Sequence, residues 1–278
     1  MDTIWTRMKA DLDWAGRAPK TQSIYLHAAK DFARFHHRSP VGMGQTEVRA
    51  WIAHLKRKGT SPTRLGHHCC ALSFLYRRTL GRPAAVSFLC RPRPPFKVPQ
   101  VMTLGEVAVL LEAIAHPQMR MLFHTLFAVG LRIREACQLR VEDVDALRGV
   151  LHVRKAKGHF QREVPLSSTL ANLLKEHLRH RTVGGPWLFS FQAGHAPDPD
   201  HVRRYFRTAV RKSGLTRRIN PHLLRHTYAT FLLESGIDIR VIAAILGHRS
   251  LTTTLRYTRV CTRLMVETPD VLGLLHQT

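Results

Sequence analysis

Apolar residues recur at helical spacing over most of the chain, and the places where that rhythm fails divide it. Residues 1–90 contain amphipathic segments at Thr3–Ala15, Thr21–Phe35 and Thr46–Lys58. A fourth opens at Ser61, with Pro62 in the first turn, where a missing N–H costs nothing. Together they predict a small helical domain. The rhythm breaks between Gly81 and Thr103, where Pro83, Pro92, Pro94, Pro95 and Pro99 forbid regular helix and favour an extended connector. The linker is placed at 91–101, leaving a second domain over 102–278. That domain opens on Thr103 and Glu106 in capping-box spacing. Met119–Val129 reads as a helix stopped by Gly130. In Gly149–Leu166 the period shortens to two, which predicts a β-hairpin turning near Lys157 and Gly158. Helical spacing returns at His201–Gly214, in a helix from Pro221 to a stop at Gly236, and at Asp238–Leu246 before Gly247. The expected fold class is mainly α with a small antiparallel β-sheet (α+β).

A chain of 278 residues with 44% hydrophobic content can bury two modest cores. Its formal net charge of +24 and sequence pI near 11.1 point to an acidic polymer as partner. Nucleic acid leads and an anionic membrane surface trails. Arg64, Arg77 and Arg78, with Lys56, Arg57 and Lys58, lie on or beside the last two N-terminal helices; Arg203, Arg204 and Arg207 crowd the helix after His201. These are the candidate contacts to a phosphate backbone. No apolar run approaches the ~20 residues that span a bilayer, and the N-terminus lacks the apolar core of a signal peptide. The expected place of work is the cytoplasm, in association with the nucleoid. Cysteines 69, 70, 90, 137 and 261 form no C-x-x-C pair and are odd in number, so they are read as reduced, mostly buried thiols rather than a zinc cluster or a disulfide framework.

The stretch NPHLLRHTYATFLLESG, residues 220–236, places chemistry on a helix start. Asn220 suits the cap and Pro221 the first helical position. His222 and Arg225, three apart, should project side by side into the open, with Leu223, Leu224, Phe231 and Leu232 burying the other face. His248 follows a helix-ending glycine, Tyr257 comes nine residues later, and Arg132 follows Gly130 in GLRIRE.

GLRIRE, the hairpin KAKG…REVPL, HLLRHTYAT and LGHRSLTTTLRYT occur in an order and spacing that resembles the tyrosine recombinases of the phage-integrase class. The likeness covers about 99–260 closely; the N-terminal helices match in type the family's core-DNA-binding, SAM-like domain. It implies a site-specific DNA recombinase that breaks and rejoins strands through a 3′-phosphotyrosine without metal or ATP. No Walker loop or magnesium-ready carboxylate cluster is present in the sequence, and no cofactor or metal is expected. Arg132 and Arg225 would stabilise the charge developing on the phosphate, and His222 and His248 would hydrogen-bond it, with His222 also able to accept the phenolic proton. Tyr257 would be the nucleophile and Lys157 the acid for the departing 5′ oxygen, Lys155 being the weaker candidate. Glu135 would orient Arg132 or a neighbouring histidine. Arg134 stands where the family usually has a small residue. The resemblance further implies a homo-tetramer on paired DNA sites, and the apolar tail at 268–278 is expected to dock on a neighbouring protomer. A type IB topoisomerase-like nicking enzyme would use similar chemistry without paired sites; a catalytically dead DNA-binding protein would keep the fold.

Overall fold

The computed structural model describes residues 3–92, 100–154, 160–248, 250–255 and 257–258. Two compact units divide the chain, Met1–Phe96 and Lys97–Thr278. Most of the segment read as a linker, and both hairpin lysines and the tail read as a docking element, lie outside the described residues.

Four helices build the first unit: α1 (Thr3–Trp14), α2 (Pro19–His36), α3 (Gln45–Arg57) and α4 (Pro62–Phe74), the last prolonged by a turn of π-helix over Leu75–Thr79. Ser61 caps α4 by accepting from the Arg64 N–H at 3.4 Å. Helix α2 begins at Pro19, two residues before the expected start, because proline suits the first helical position. Met8, Leu12, Phe32, Trp51, Leu72, Leu75 and Tyr76 fill the core. Tyr76, fully buried, donates its hydroxyl to the Pro40 carbonyl at 3.2 Å, so the ring adds apolar area without orphaning its oxygen.

The second unit opens with α5 (Leu104–Glu112), where the capping box forms in full: Thr103 Oγ1 accepts from the Glu106 N–H, and Glu106 Oε2 from the Thr103 N–H. There follow α6 (Pro117–Ala128), α7 (Ile133–Cys137), and three antiparallel strands in sequence order, β1 (Val144–Asp145), β2 (Val150–Arg154) and β3 (Phe160–Pro165). The hairpin is as expected, with Leu151 and Val153 facing inward. Two-residue β1 was not anticipated, being too short to show a period. Five further helices complete the unit: α8 (Ser168–Arg179), α9 (Pro199–Lys212), α10 (Pro221–Glu234), α11 (Ile239–Leu246) and α12 (Leu251–Thr254). Its core runs from Leu110, Leu122 and Phe123 through Leu151, Val153 and Leu174 to Phe206, Leu223 and Leu224. A satellite cluster gathers Ala229, Leu233, Ile242, Leu246 and Tyr257 beneath α10 and α11.

The described cysteines are all free thiols, but only Cys69 and Cys137 are buried. Cys90 is exposed and Cys70 half-buried, which corrects the expectation of mostly buried thiols: Cys90 lies past the last helical turn of its unit, where no core covers it.

Candidate active site

Arg132 sits just before α7 in extended conformation, its backbone N–H donating to Glu135 Oε2 at 2.8 Å. The same carboxylate receives the Arg132 side chain, Nη1 to Oε1 at 2.7 Å. It does more. Arg162 on β3 forks onto both carboxylate oxygens at 3.1 and 2.9 Å, and Arg225 Nη1 lies 3.7 Å from Oε2. The Glu135 side chain is 11% exposed. Burial alone would raise its pKa, yet the bonds from Arg162 and Arg132 outweigh burial and hold it at about 2.

The three guanidiniums are tethered at their far side by one short stretch. Helix α11 ends at Leu246 with Gly247 left-handed at φ +62. Ile245 O accepts from Arg162 Nε at 2.6 Å, Leu246 O from Arg225 Nη2, and Gly247 O from Arg132 Nη2 at 3.4 Å. Three successive carbonyls, two of them among those a helix C-terminus leaves without intrahelical donors, each take a different arginine.

Sequence reasoning expected both His222 and Arg225 in the open. His222 is exposed, on the first turn of α10, and the neighbouring Arg225 and Arg132 help burial lower its pKa. Arg225 is instead buried, 3% exposed. Its Nη1 donates to the Gly130 carbonyl at 2.7 Å, while Nη2 donates to the Leu246 carbonyl. Helical spacing sets the direction of a side chain but not what packs over it, and here Gly130 and α11 close over the guanidinium. Burial and the neighbouring Arg132 lower its pKa to about 10, so it keeps its charge at neutral pH.

His248 shares a hydrogen bond between Nδ1 and Thr254 Oγ1 at 2.8 Å. Burial, with Arg225 and Arg132 adding to it, lowers its pKa to about 4, so the ring is neutral at physiological pH. Its plane lies nearly parallel to that of Tyr257, with centroids 6.3 Å apart. Tyr257 is 1% exposed, packed against the satellite core, and its hydroxyl shares a 2.9 Å hydrogen bond with Nδ1 of His226. Arg132, Glu135, Arg225, His248 and Tyr257 are thus drawn around the end of α11, with His222 close enough to Arg132 and Arg225 for their charges to depress its pKa. Lys157 and Lys155 lie outside the described residues.

Two members of this cluster were not singled out from the sequence. Arg162 had a signal: it pairs with inward-facing Val153 across the hairpin, and a charge on the apolar side of a sheet demands a buried partner. His226, directly after Arg225, had none, since only the tertiary path of Tyr257 brings the two together.

Arg134 is exposed on α7 and leaves the buried network uncrowded. Arg64, Arg77 and Arg78 are all exposed but sit at opposite ends of the long helix from Pro62 to Thr79, roughly 20 Å apart at 1.5 Å per residue. Arg204 and Arg207 line a cleft of about 620 Å³ with Arg211, Arg217 and Arg218, while Arg203 is paired with Asp200. Among the described residues no group of three His, Cys, Asp or Glu could hold a metal ion, and no helix is long and apolar enough to cross a membrane.

Two expectations follow. A Cβ at Gly130, where φ is +63, would fall 2.4 Å from Tyr228 Cδ1 and 3.0 Å from Leu246 Cδ2. Gly130→Ala should therefore destabilise the fold by about 2–4 kcal/mol, combining left-handed strain with overpacking, and displace the carbonyl that holds Arg225. A urea midpoint equal to wild type would contradict this. Acid should also weaken the fold. His248 titrates near 6.5 when unfolded and at about 4 when folded. Its contribution is complete above 6.5 and is lost as pH falls towards 4, because the unfolded chain takes up the proton first. His222, lowered likewise, acts in the same direction. Thermal midpoints of the full chain should fall between pH 7 and pH 5; a midpoint unchanged or raised at pH 5 would refute the assignment.

Residues 100–263 match the phage integrase family and residues 4–85 the phage integrase N-terminal SAM-like domain. Tyrosine recombinase XerA of Pyrococcus furiosus is 33% identical over 269 residues, covering 95% of this chain and 92% of its own. Among solved structures, the lambda integrase tetramer bound to a Holliday junction superposes with a TM-score of 0.76 at 19% identity, covering 92% of this chain and 76% of that one. The XerH site-specific recombinase in a post-cleavage complex with its palindromic difH substrate gives 0.72 at 21% identity, covering 91% and 79%.

Proposed function

The chain belongs to the phage integrase family, and from that membership we propose how its residues divide the work of site-specific DNA recombination. It is a tyrosine recombinase, a DNA strand-transferring enzyme. The observation that carries the division of labour is the gathering of Arg132, Arg225, His248 and Tyr257 around the last turn of α11.

In this reading Arg132, whose side chain is 37% exposed while its back is tied to Glu135, presents guanidinium N–H groups to the non-bridging oxygens of the scissile phosphate. Arg225, fixed by two carbonyls, supplies a charge that need not reorganise as the pentavalent transition state forms. His248, neutral, and His222, exposed at the rim, hydrogen-bond the same phosphate. The Tyr257 oxygen attacks phosphorus, the bond to the 5′ oxygen breaks, and a 3′-phosphotyrosine and a 5′-hydroxyl result. Lys157 protonates the departing oxygen. Tyr257 is packed beneath α10 and α11, with its hydroxyl 2.9 Å from His226 Nδ1. The ester conserves the energy of the phosphodiester, so strand rejoining needs no nucleotide.

Arg64, Arg77 and Arg78 of the first unit, with Arg203, Arg204 and Arg207 of the second, contact the duplex backbone. Four protomers act on two sites, a reading supported by the lambda integrase tetramer on a Holliday junction, with the tail over 268–278 linking protomers. The enzyme acts in the cytoplasm, on the nucleoid. A topoisomerase-like activity would share the chemistry, but the relatives named above are recombinases and integrases. The test uses the DNA that the chain selects from a random pool. A supercoiled plasmid with two copies should yield deletion or inversion products; relaxation without recombinants would favour the nicking enzyme instead.

A further inference from the structure

We propose that His226 is the general base of the cleavage reaction, receiving the phenolic proton of Tyr257 on Nδ1. The inference rests on the reading above that Tyr257 is the nucleophile. As the tyrosine oxygen bonds to phosphorus its proton must leave, and a competent acceptor must lie within hydrogen-bond reach of that oxygen. His226 Nδ1 is 2.9 Å from it. The two rings approach at 53° with centroids 5.5 Å apart, so the contact is edge to edge through the polar atoms rather than a face stack.

The other imidazoles are differently employed. His248 spends Nδ1 on Thr254 and lies nearly parallel to the Tyr257 ring, a disposition that places the ring beside the phenol rather than in line with its O–H. His222 stands exposed on the opening turn of α10, where it suits the phosphate. His226 is one residue past Arg225 on the same rigid helix. One turn of α10 thus aims a phosphate ligand, a buried cation and a base at successive positions of the reaction. Arg225 is near enough for its charge to interact with that of a Tyr257 phenolate.

The step balances as follows. With its own proton on Nε2, His226 takes the phenolic proton on Nδ1; the phenol oxygen forms the O–P bond; the P–O bond to the 5′ oxygen breaks; and that oxygen receives its proton from a different acid. In rejoining, the conjugate base of that acid takes the 5′-hydroxyl proton as the oxygen bonds to phosphorus, the bond from phosphorus to the tyrosine oxygen breaks, and the imidazolium returns its Nδ1 proton to the departing tyrosine.

The experiment uses the full chain and a nicked suicide duplex bearing the selected site, as phosphodiester and as 5′-bridging phosphorothiolate, whose thiolate departs without an acid. His226→Asn retains an amide near the Nδ1 position but cannot take the proton. At saturating DNA its covalent capture should be slower by about 100-fold or more on both substrates, with DNA affinity close to wild type, and imidazole added to His226→Ala should restore part of the rate. Wild-type capture by His226→Asn would overturn the proposal. So would full recovery on the phosphorothiolate, which assigns His226 to the leaving group, or a loss of affinity matching the loss of rate, which makes it structural. Tyr257→Phe separates the two levels. If it still forms covalent complex, the nucleophile assignment itself fails; if it is inert while His226→Asn is normal, only the base assignment falls.

Discussion

Tyr257→Phe should abolish covalent capture of DNA while leaving non-covalent affinity nearly intact. The substitution removes one oxygen and keeps the ring that packs on Ala229, Leu233, Ile242 and Leu246, so the satellite core survives. What the fold loses is the bond shared with His226, about 1 kcal/mol for a hydrogen bond of this kind. What the reaction loses is its nucleophile. Denaturing gels report the covalent species and equilibrium titration the affinity. Parallel loss of both would mean that Tyr257 matters for folding rather than chemistry.

Glu135→Gln should be the most damaging single change to stability among the site residues. The carboxylate lies against Arg132, Arg162 and Arg225 and is ionised well below neutrality. A neutral amide of the same shape leaves these cations facing one another with their counter-charge gone. Breaking a buried ionic cluster in this way costs about 3–5 kcal/mol, visible as a lowered urea midpoint. Glu142 provides the contrast. It bridges Arg140 and Arg154 at the surface with 61% of its side chain exposed, and Glu142→Gln should cost about 1 kcal/mol or less. Equal effects of the two substitutions would show that the buried carboxylate does not hold the arginines together.

Much of this architecture was legible in the residues themselves. Helix starts at Ser61, Thr103 and Asn220 could be read because capping is local: the side chain and the N–H it satisfies are two or three residues apart. The hairpin was readable because its inward face alternates. The exposure of Arg225 was misjudged for the complementary reason. Its partners, Gly130 and Leu246, lie 95 and 21 residues away, and helical periodicity carries no information about either. His226 was passed over likewise, since its contact with Tyr257 spans 31 residues. Local rules and the order of the motifs nominated candidate residues; the pairings found around them are tertiary.

The tethering of Arg162, Arg225 and Arg132 to the carbonyls of Ile245, Leu246 and Gly247 also decides where this enzyme can be redesigned. Each added residue turns a helix by about 100°, so an insertion ahead of Gly247 would swing all three acceptors away from their arginines at once, whatever side chain it carried. Val241 and Ala244 face solvent on the same helix and are free to vary. Length is the constrained property of this segment, and composition along its outer face the adjustable one.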